Sequence, residues 1–373
     1  MRTTVYVSLL LSMLALDARA AIKGSGLIGY GSSTAIITPK IQEGFLMGFE
    51  LGLKEMIGRE KAADVLRVRQ ITGSSQLGAE KSATELLNQN VSALFGFPGS
   101  HDSLVVGRVA KETGVLTIVA GSNHNDLREM GPNFYTTGFS MDYEVESMLS
   151  FAQKLYRGKK GLVIINPSAV ASMSQEAIFK RVIAEKRFTG IDVRVTRLNR
   201  DLLLDKEDLE QLRSGAISFI CLTPYPEALV GWVDEITAAG VDLPIIAGTA
   251  WGTVDSDVLR RFIANRKAPF YMAASYLRGS PTAKSFEEAF FRSYAKEPTP
   301  ETSFGYDLGV IAGTLVRRSK GQVDRESMIA AFHQSKCYEG LSIGKLCFGP
   351  KGGHATRPLH YLKYTRKGFV PAS

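Results

Sequence analysis

The chain has 373 residues, a formal net charge of +8 and a hydrophobic content of 45%. Because one hydrophobic core rarely serves more than about 250 to 300 residues, this length predicts two lobes. The basic residues are scattered and lack interleaved aromatic residues, which argues against a nucleic-acid-binding protein. Three cysteines are few for a disulfide-stabilised scaffold, so that class is excluded as well.

The first 20 residues have the pattern of a cleaved secretory signal. Arg2 precedes an apolar run at 5–16, and the small-residue pattern Ala18-Arg19-Ala20 follows it. The run is shorter than the roughly 18 to 20 apolar residues that a membrane span needs. We therefore expect cleavage before Ala21 and a soluble mature protein. An uncleaved anchor is the alternative.

Predicted strands and helices alternate along the rest of the chain, which is typical of an α/β protein with mostly parallel sheets. No low-complexity linker separates them, so we expect the chain to cross between lobes more than once. Strands are predicted at 26–30, 65–70, 92–95, 115–119, 161–165, 193–195, 217–222, 243–246, 345–348 and 359–364. Helices are predicted at 40–55, 77–88, 144–156, 174–185, 227–238, 283–294, 302–318 and 325–333, with another beginning beside Ser100.

Two loops stand out as a candidate binding site. The strand at 92–95 ends in Gly96-Phe97-Pro98-Gly99-Ser100, which opens a helix, and the strand at 115–119 ends in Ala120-Gly121-Ser122-Asn123. Strand, crossover helix and strand imply parallel strands, whose following loops lie together at the edge where α/β sheets bind ligands. We expect Ser100 to cap the helix and the free N–H groups of its first turn to favour a carboxylate or another small anion. A helix cap without a ligand is the alternative for Ser100.

An enzyme has no anchor residue in this sequence. Gly24-x-Gly26-x-x-Gly29 fits the glycine spacing of dinucleotide folds, but the strand that must precede it is missing. The chain also has no Gly-x-Ser-x-Gly elbow, no phosphate loop and no His-Glu-x-x-His motif. We therefore predict neither catalytic residues nor a cofactor.

His101 and His124 fall in the two loops, near Asp102 and Asp126. Imidazole with carboxylate suits several divalent ions, but this spacing matches no dedicated metal site, so we predict none. The histidines could instead make binding depend on pH.

The cysteines divide into two cases. Cys221 lies inside an apolar strand and is most simply a buried free thiol. Cys337 and Cys347 flank a segment whose glycines could let it fold back, and the sequence leaves open whether they pair or stay reduced.

Several segments share their order and spacing with one known family. They are 44–53, 79–96, Ser100, 114–115, 125–127, 134–138, 304–307, 338–340 and 348–352. By these segments the mature chain resembles the periplasmic solute-binding proteins of the leucine/isoleucine/valine-binding type, the type I periplasmic binding fold.

The resemblance implies an α/β protein with two Rossmann-like lobes of mostly parallel sheets, joined by three hinge crossovers that let them close on a ligand. The crossovers are expected near Ser140, Ala273 and Cys337. The first lobe would then comprise 21–139 plus 274–336, and the second 140–273 plus 337–373.

In the first lobe, Ser100 matches the family serine whose hydroxyl and neighbouring N–H groups hold the ligand carboxylate. Gly121, Ser122 and Asn123 stand where a backbone group and a threonine hydroxyl assist, and the Asn123 amide can still donate. Ile37, in the loop after the first strand, would add an apolar wall.

The second lobe departs from the family pattern. Ala171 stands where an aromatic residue packs on the ligand, and Thr249 stands where an acid binds the ammonium group. Without that acid an α-amino ligand lacks its counter-charge, for which Asp102 is a possible substitute. Tyr225 and Trp251 follow second-lobe strands, where their rings would cover an apolar ligand or pack at the rim.

The resemblance therefore implies a monomeric periplasmic protein that captures a small carboxylate-bearing ligand, an amino acid or a related organic acid. It would deliver the ligand to the membrane permease of an ABC transporter, with no nucleic acid as partner. The alternative is a ligand sensor or envelope partner protein of the same fold that takes no part in transport.

Overall fold

A computed structural model describes residues 26–33, 38–71, 77–168, 170–223, 230–253, 263, 266–349, 352–365 and 368–372. The predicted signal at 1–20 and the candidate ligand residues Ile37 and Tyr225 lie outside these described residues. Within them, no helix combines the length and the apolar character that a bilayer crossing requires.

The described strands and helices alternate over most of the chain, as the sequence predicts. The strands are β1 Ile28–Ser33, β2 Leu66–Ile71, β3 Ala93–Gly96, β4 Leu116–Val119, β5 Phe134–Thr136, β6 Lys160–Ile165, β7 Asp192–Arg197, β8 Phe219–Leu222, β9 Ile245–Ala247, β10 Phe270–Ala274, β11 Cys337–Leu341, β12 Gly344–Phe348, β13 Gly353–Thr356, β14 His360–Thr365 and β15 Gly368–Pro371. The helices are α1 Pro39–Ile57, α2 Arg59–Val65, α3 Leu77–Asn88, α4 Ser100–Thr113, α5 Met141–Leu155, α6 Val170–Ala184, α7 Lys206–Arg213, α8 Val230–Ala238, α9 Lys284–Tyr294, α10 Pro300–Arg318 and α11 Arg325–Gln334. Short 3-10 helices span Asn125–Glu129 and Thr249–Thr253.

These strands form two sheets, one for each lobe. The first sheet has the order β11-β12-β13-β5-β4-β3-β1-β2, and the second has the order β15-β14-β10-β9-β8-β6-β7. From β13 to β2 and from β10 to β7 every neighbouring pair is parallel, and the antiparallel pairs lie at one edge of each sheet. The prediction of an α/β fold with two lobes and mostly parallel sheets is therefore confirmed.

Among the described elements the chain passes between the sheets three times: between β5 and β6, after β10, and between β13 and β14. The expectation that 337–373 belongs to the second lobe is wrong for β11 to β13, which extend the first sheet. The reason is packing, because β13 pairs with β5 and the rings of Tyr338 and Phe348 pack in the first-lobe core. The last passage therefore lies after Thr356 and not near Cys337.

A buried ion pair holds this last passage to the first lobe. Arg357 follows β13 and donates to the Asp307 carboxylate of α10 at 2.8 Å, and both side chains are 0% exposed. Arg357 also donates to Ser303 Oγ at 3.1 Å, and its guanidinium lies 3.9 Å from the centre of the Phe304 ring. The backbone N–H of Ser342 donates to the other Asp307 oxygen at 2.7 Å. Each charge is thus paired and hydrogen-bonded, as burial requires.

The hairpin of β11 and β12 decides the pairing of two of the cysteines. Cys337 and Cys347 stand opposite each other in its register and form a disulfide. Cys221 is a buried free thiol within β8, as predicted, and burial raises its pKa to about 12.

Helices α1 and α10 approach each other backbone to backbone. A Cβ placed on Gly48 would lie 2.1 Å from the carbonyl oxygen of Thr302, and one on Gly305 would lie 2.0 Å from that of Phe45. Real side chains do not make such contacts, so only glycine permits this separation. Since α10 follows the passage back from the second lobe, the contact fixes the returning chain to the first lobe.

We predict that Gly48→Ala lowers the free energy of unfolding by about 1 to 3 kcal/mol or more, because the methyl group forces the two helix backbones apart. Gly44→Ala on the same helix is the matched control, since its Cβ would lie 3.5 Å from Thr302 Cγ2, an ordinary contact. The control should be neutral or stabilising by up to about 1 kcal/mol, through helix propensity. Urea denaturation of both variants measures the difference, and equal stabilities would contradict this account.

Candidate functional site

The two loops that the sequence places together do meet at one sheet edge. Strands β3 and β4 pair in parallel, with Gly96 opposite Val119, so the loops that follow them are neighbours. Helix α4 begins directly after the first loop, at Ser100. The predicted cap is wrong, however, because the N-cap position is Gly99, which has φ of 91° and no side-chain hydrogen bond. The Ser100 hydroxyl instead donates to Asn123 Oδ1 at 3.2 Å, which links the two loops.

The first turn of α4 retains unused donors. The N–H of Ser103 donates to the carbonyl of Gly99 at 3.1 Å, whereas those of Ser100, His101 and Asp102 meet no acceptor among the described residues. At a helix N-terminus such groups and the helix dipole favour an anion. The edge of the first lobe therefore presents a surface suited to a carboxylate.

The donors of two other predicted residues are hydrogen-bonded within the first lobe. The Gly121 N–H donates to Thr137 Oγ1 at 3.1 Å, and the buried Ser122 hydroxyl bonds to the Ser103 hydroxyl. Both donors have partners because the loop after β4 turns back on β5 and packs beneath α4. The Gly121 N–H and the Ser122 hydroxyl are thus not free to assist in holding a ligand in this arrangement.

In the second lobe, Trp251 differs in position from the expected ligand wall. Trp251 is 2% exposed and its ring packs 5.5 Å from that of Phe270, within the second-lobe core. The ring therefore does not cover a ligand, because an apolar side chain gains more by joining this core. Ala171 lies in the first turn of α6, half-buried against the same lobe, and adds no ring.

Glu144 brings Thr249 and Asn123 together, a role that the sequence did not reveal. Its Oε1 accepts from the backbone N–H and the hydroxyl of Thr249, at 2.8 and 2.7 Å. Its Oε2 accepts from Gln175 Nε2 at 3.0 Å and from Asn123 Nδ2 at 3.3 Å. Asn123 thus donates, as predicted, but to a protein carboxylate. These bonds make one continuous network from Ser100 in the first lobe to Thr249 in the second.

Glu144 was missed because its only sequence signal is an acid near the start of a predicted helix, which ordinarily marks a solvated residue. It is 2% exposed here, in the first turn of α5, whose N-cap is Ser140. Gly248 leaves room for it, since a Cβ there would lie 3.2 Å from Glu144 Oε1. The helix N-terminus and the donors together offset the cost of burying the charge.

Asp102, the possible substitute counter-charge, is itself buried at 4% exposure. Its Oδ1 accepts from Ser33 Oγ at 3.4 Å, at the end of β1. Burial raises the pKa of Asp102 to about 6, and the opposing effects of the Ser33 hydrogen bond and of His101 are smaller. Its carboxyl group is therefore directed into the first lobe and titrates close to neutral pH.

Further contacts join the lobes beside this network. His124 Nε2 lies 3.3 Å from Ser174 Oγ, while its Nδ1 accepts from the N–H of Asp126 at 3.3 Å, which fits a neutral imidazole. Asp142 accepts from Arg128 at 3.0 Å and from Arg181 at 2.7 Å. Among the described residues, no cluster of three or more His, Cys, Asp and Glu side chains is suited to a metal ion.

Solved structures with the same fold include several binding proteins. The leucine-binding protein LivK of Thermotoga maritima is 17% identical, with a TM-score of 0.74 over 93% of this chain and 98% of that one. An ABC transporter solute-binding protein of R. palustris in complex with benzoate is 14% identical, with a TM-score of 0.73 over 94% and 96%. LivJ of Streptococcus pneumoniae, in complex with isoleucine, is 16% identical, with a TM-score of 0.69 over 92% and 99%.

Comparison with curated proteins finds no match. The model of one family, described as periplasmic binding protein, matches residues 71–368, which is well over half of the chain. With the fold and the cleft-edge donors described above, this match establishes that the chain belongs to the periplasmic binding protein family, a family of solute-binding proteins and not of enzymes.

Proposed function

We propose that this protein captures a small carboxylate-bearing solute, an amino acid or a related organic acid, between its two lobes. In this proposal residues 1–20 are removed on export, and the mature protein works as a monomer in the periplasm. It hands the solute to the membrane permease of an ABC transporter.

The unused donors at the start of α4 carry the proposal. Three backbone N–H groups at the edge of the first lobe meet no acceptor among the described residues, and the Ser100 hydroxyl joins this edge to the second lobe through Asn123 and Glu144. A carboxylate that accepts from these groups gains charge-assisted hydrogen bonds, each worth roughly 1.5 to 3 kcal/mol.

The solved structures support the class of solute. The Thermotoga maritima protein is a leucine-binding protein, and the R. palustris protein holds benzoate. Leucine and benzoate share a carboxylate and an apolar body, although only leucine has an ammonium group. The R. palustris protein is also described as part of an ABC transporter, which supports the proposed delivery to a permease.

A thermal-shift screen of the purified mature protein tests the solute class with matched pairs. Benzoate and leucine are compared with benzamide and leucinamide, which lack the carboxylate. We expect at least one carboxylate to raise the Tm while its amide has no effect, because the N–H groups of α4 bind an anion better than a neutral amide. Equal shifts from acids and amides, or no shift from a broad panel of small carboxylates, would contradict the proposal.

We predict that Ser100→Ala weakens binding of the carboxylate found in that screen by about tenfold. In the bound state the Ser100 hydroxyl turns from Asn123 Oδ1 to the solute, and the variant loses that charge-assisted hydrogen bond. The Tm of the solute-free protein should change little, because Ser100 does not cap α4. Ser214→Ala, at the C-cap of α7, is the control and should leave affinity unchanged. Calorimetry measures both affinities. Retained affinity in Ser100→Ala would show that this hydroxyl does not contact the solute.

Binding should also depend on pH through Asp102. Its pKa of about 6 means that the group is largely neutral below pH 6 and charged above it. A bound anion nearby disfavours the charged form, so affinity should fall as pH rises from about 6 to 8. A like charge at several ångströms in a partly covered site costs on the order of 1 kcal/mol, or roughly a fivefold loss.

Asp102→Asn should remove that pH dependence while keeping a polar group beside Ser33. Calorimetry at pH 5.5 to 8 with a solute whose own pKa lies well below this range isolates the effect. An unchanged pH profile in the variant would assign the dependence to another group, such as His101 or His124.

A further inference from the structure

The loop that leads from β3 into α4 contains a residue with a strained backbone. Three residues of this loop have a positive φ: 99° at Gly96, 44° at Phe97 and 91° at Gly99. The two glycines adopt this conformation without strain, whereas Phe97 has a Cβ and does not. A non-glycine residue in this region costs free energy and persists only where the surrounding structure holds it there.

The surroundings of Phe97 hold both its ring and its backbone. The side chain is 0% exposed, and its ring packs over Gly31 of β1, where an added Cβ would lie 2.0 Å from Phe97 Cζ. The Phe97 N–H donates to the Gly31 carbonyl at 2.7 Å. The Phe97 carbonyl accepts from Ser103 Oγ at 2.9 Å, and that hydroxyl is bonded in turn to Ser122 Oγ. One residue thus connects β1, the start of α4 and the loop after β4.

These contacts fix the direction of the first turn of α4. The helix begins three residues after Phe97, so any rotation of the loop moves the N–H groups of Ser100, His101 and Asp102. Hydrogen bonds weaken steeply as their angle departs from linearity. Groups that bind a solute must therefore be held to within about 0.5 Å and about 10 to 20° of the productive geometry.

We propose that Phe97 is a positioning residue of the anion site: its ring, packed against Gly31, holds the loop in the conformation that presents the first N–H groups of α4 to a carboxylate. This inference rests on the proposed function and adds to it the residue that sets the geometry of the donors. Phe97 acts through the backbone and does not touch the solute, because its side chain lies in a buried apolar cluster with Val106 and Val119.

Phe97→Leu tests the proposal, because it removes the part of the ring that covers Gly31 and keeps an apolar side chain in the core. The probes are benzoate, leucine and other small carboxylates that raise the Tm of the wild-type mature protein. For each of them we expect calorimetry to show binding about fivefold weaker or more in the folded variant, since the donors are no longer aligned. Wild-type affinity in the folded variant would overturn the inference and leave the proposed function intact. If no small carboxylate binds the wild type, both fail.

Phe332→Leu is the matched control for the loss of a buried ring. Phe332, on α11, is also 0% exposed in the first lobe, but it belongs to a different core cluster from that of Phe97. The control should lower the Tm, as Phe97→Leu does, and leave the affinity unchanged. Equal losses of affinity in the two variants would show that Phe97 contributes only to the general stability of the lobe.

A second substitution tests the contact between the ring and Gly31. Gly31 does not have a positive φ, so its backbone accepts alanine, but the new methyl group meets the Phe97 ring and should displace it. Gly31→Ala alone should therefore weaken binding. In Gly31→Ala with Phe97→Leu the methyl group fills space that the ring leaves, so the double variant should bind about threefold or more tightly than additive losses predict.

The double variant also keeps the proposal testable if Phe97→Leu alone folds poorly. Circular dichroism and the Tm identify the folded variants. Strictly additive losses of affinity, or a folded Gly31→Ala variant with wild-type affinity, would show that the packing of Phe97 on Gly31 does not position the donors of α4.

Discussion

A buried carboxylate must be hydrogen-bonded, and this requirement organises the cleft of the protein. Glu144 obtains its donors from the loop after β4, from helix α6 and from the loop after β9. These three segments lie where parallel strands end or helices begin, so one group ties together the binding edges of both sheets. The candidate site is thus built around a buried acid.

The same principle separates groups that can bind a solute from groups that only build the loops. Gly121 and Ser122 lie in the predicted position, but their donors are used within the first lobe. The first N–H groups of α4 are not used by the described residues, because a helix leaves its first-turn donors without intrahelical partners. A hydrogen-bond donor without a partner at a sheet edge is therefore a better guide to a binding site than residue type alone.

The lobes are related by contacts that are distant in the sequence. The ion pair of Arg357 with Asp307 fixes the last passage of the chain to the first lobe. Loss of either partner would leave a charge buried without compensation. The close contact of α1 with α10 joins segments about 250 residues apart, and the glycines that allow it recur every fourth residue, at 48 and 52 on α1 and at 305, 309 and 313 on α10.

The sequence by itself determined the alternation of strands and helices, the two lobes, the parallel pairing of β3 with β4 and the start of α4 near Ser100. These features follow from local hydrophobic patterns and from chain connectivity, both of which can be read from consecutive residues. Only the tertiary structure decided that β11 to β13 extend the first sheet, that Trp251 belongs to the core and that Glu144 is buried among Asn123, Gln175 and Thr249. Burial and hydrogen-bond partners depend on which segments meet in space, and a single sequence records that only indirectly.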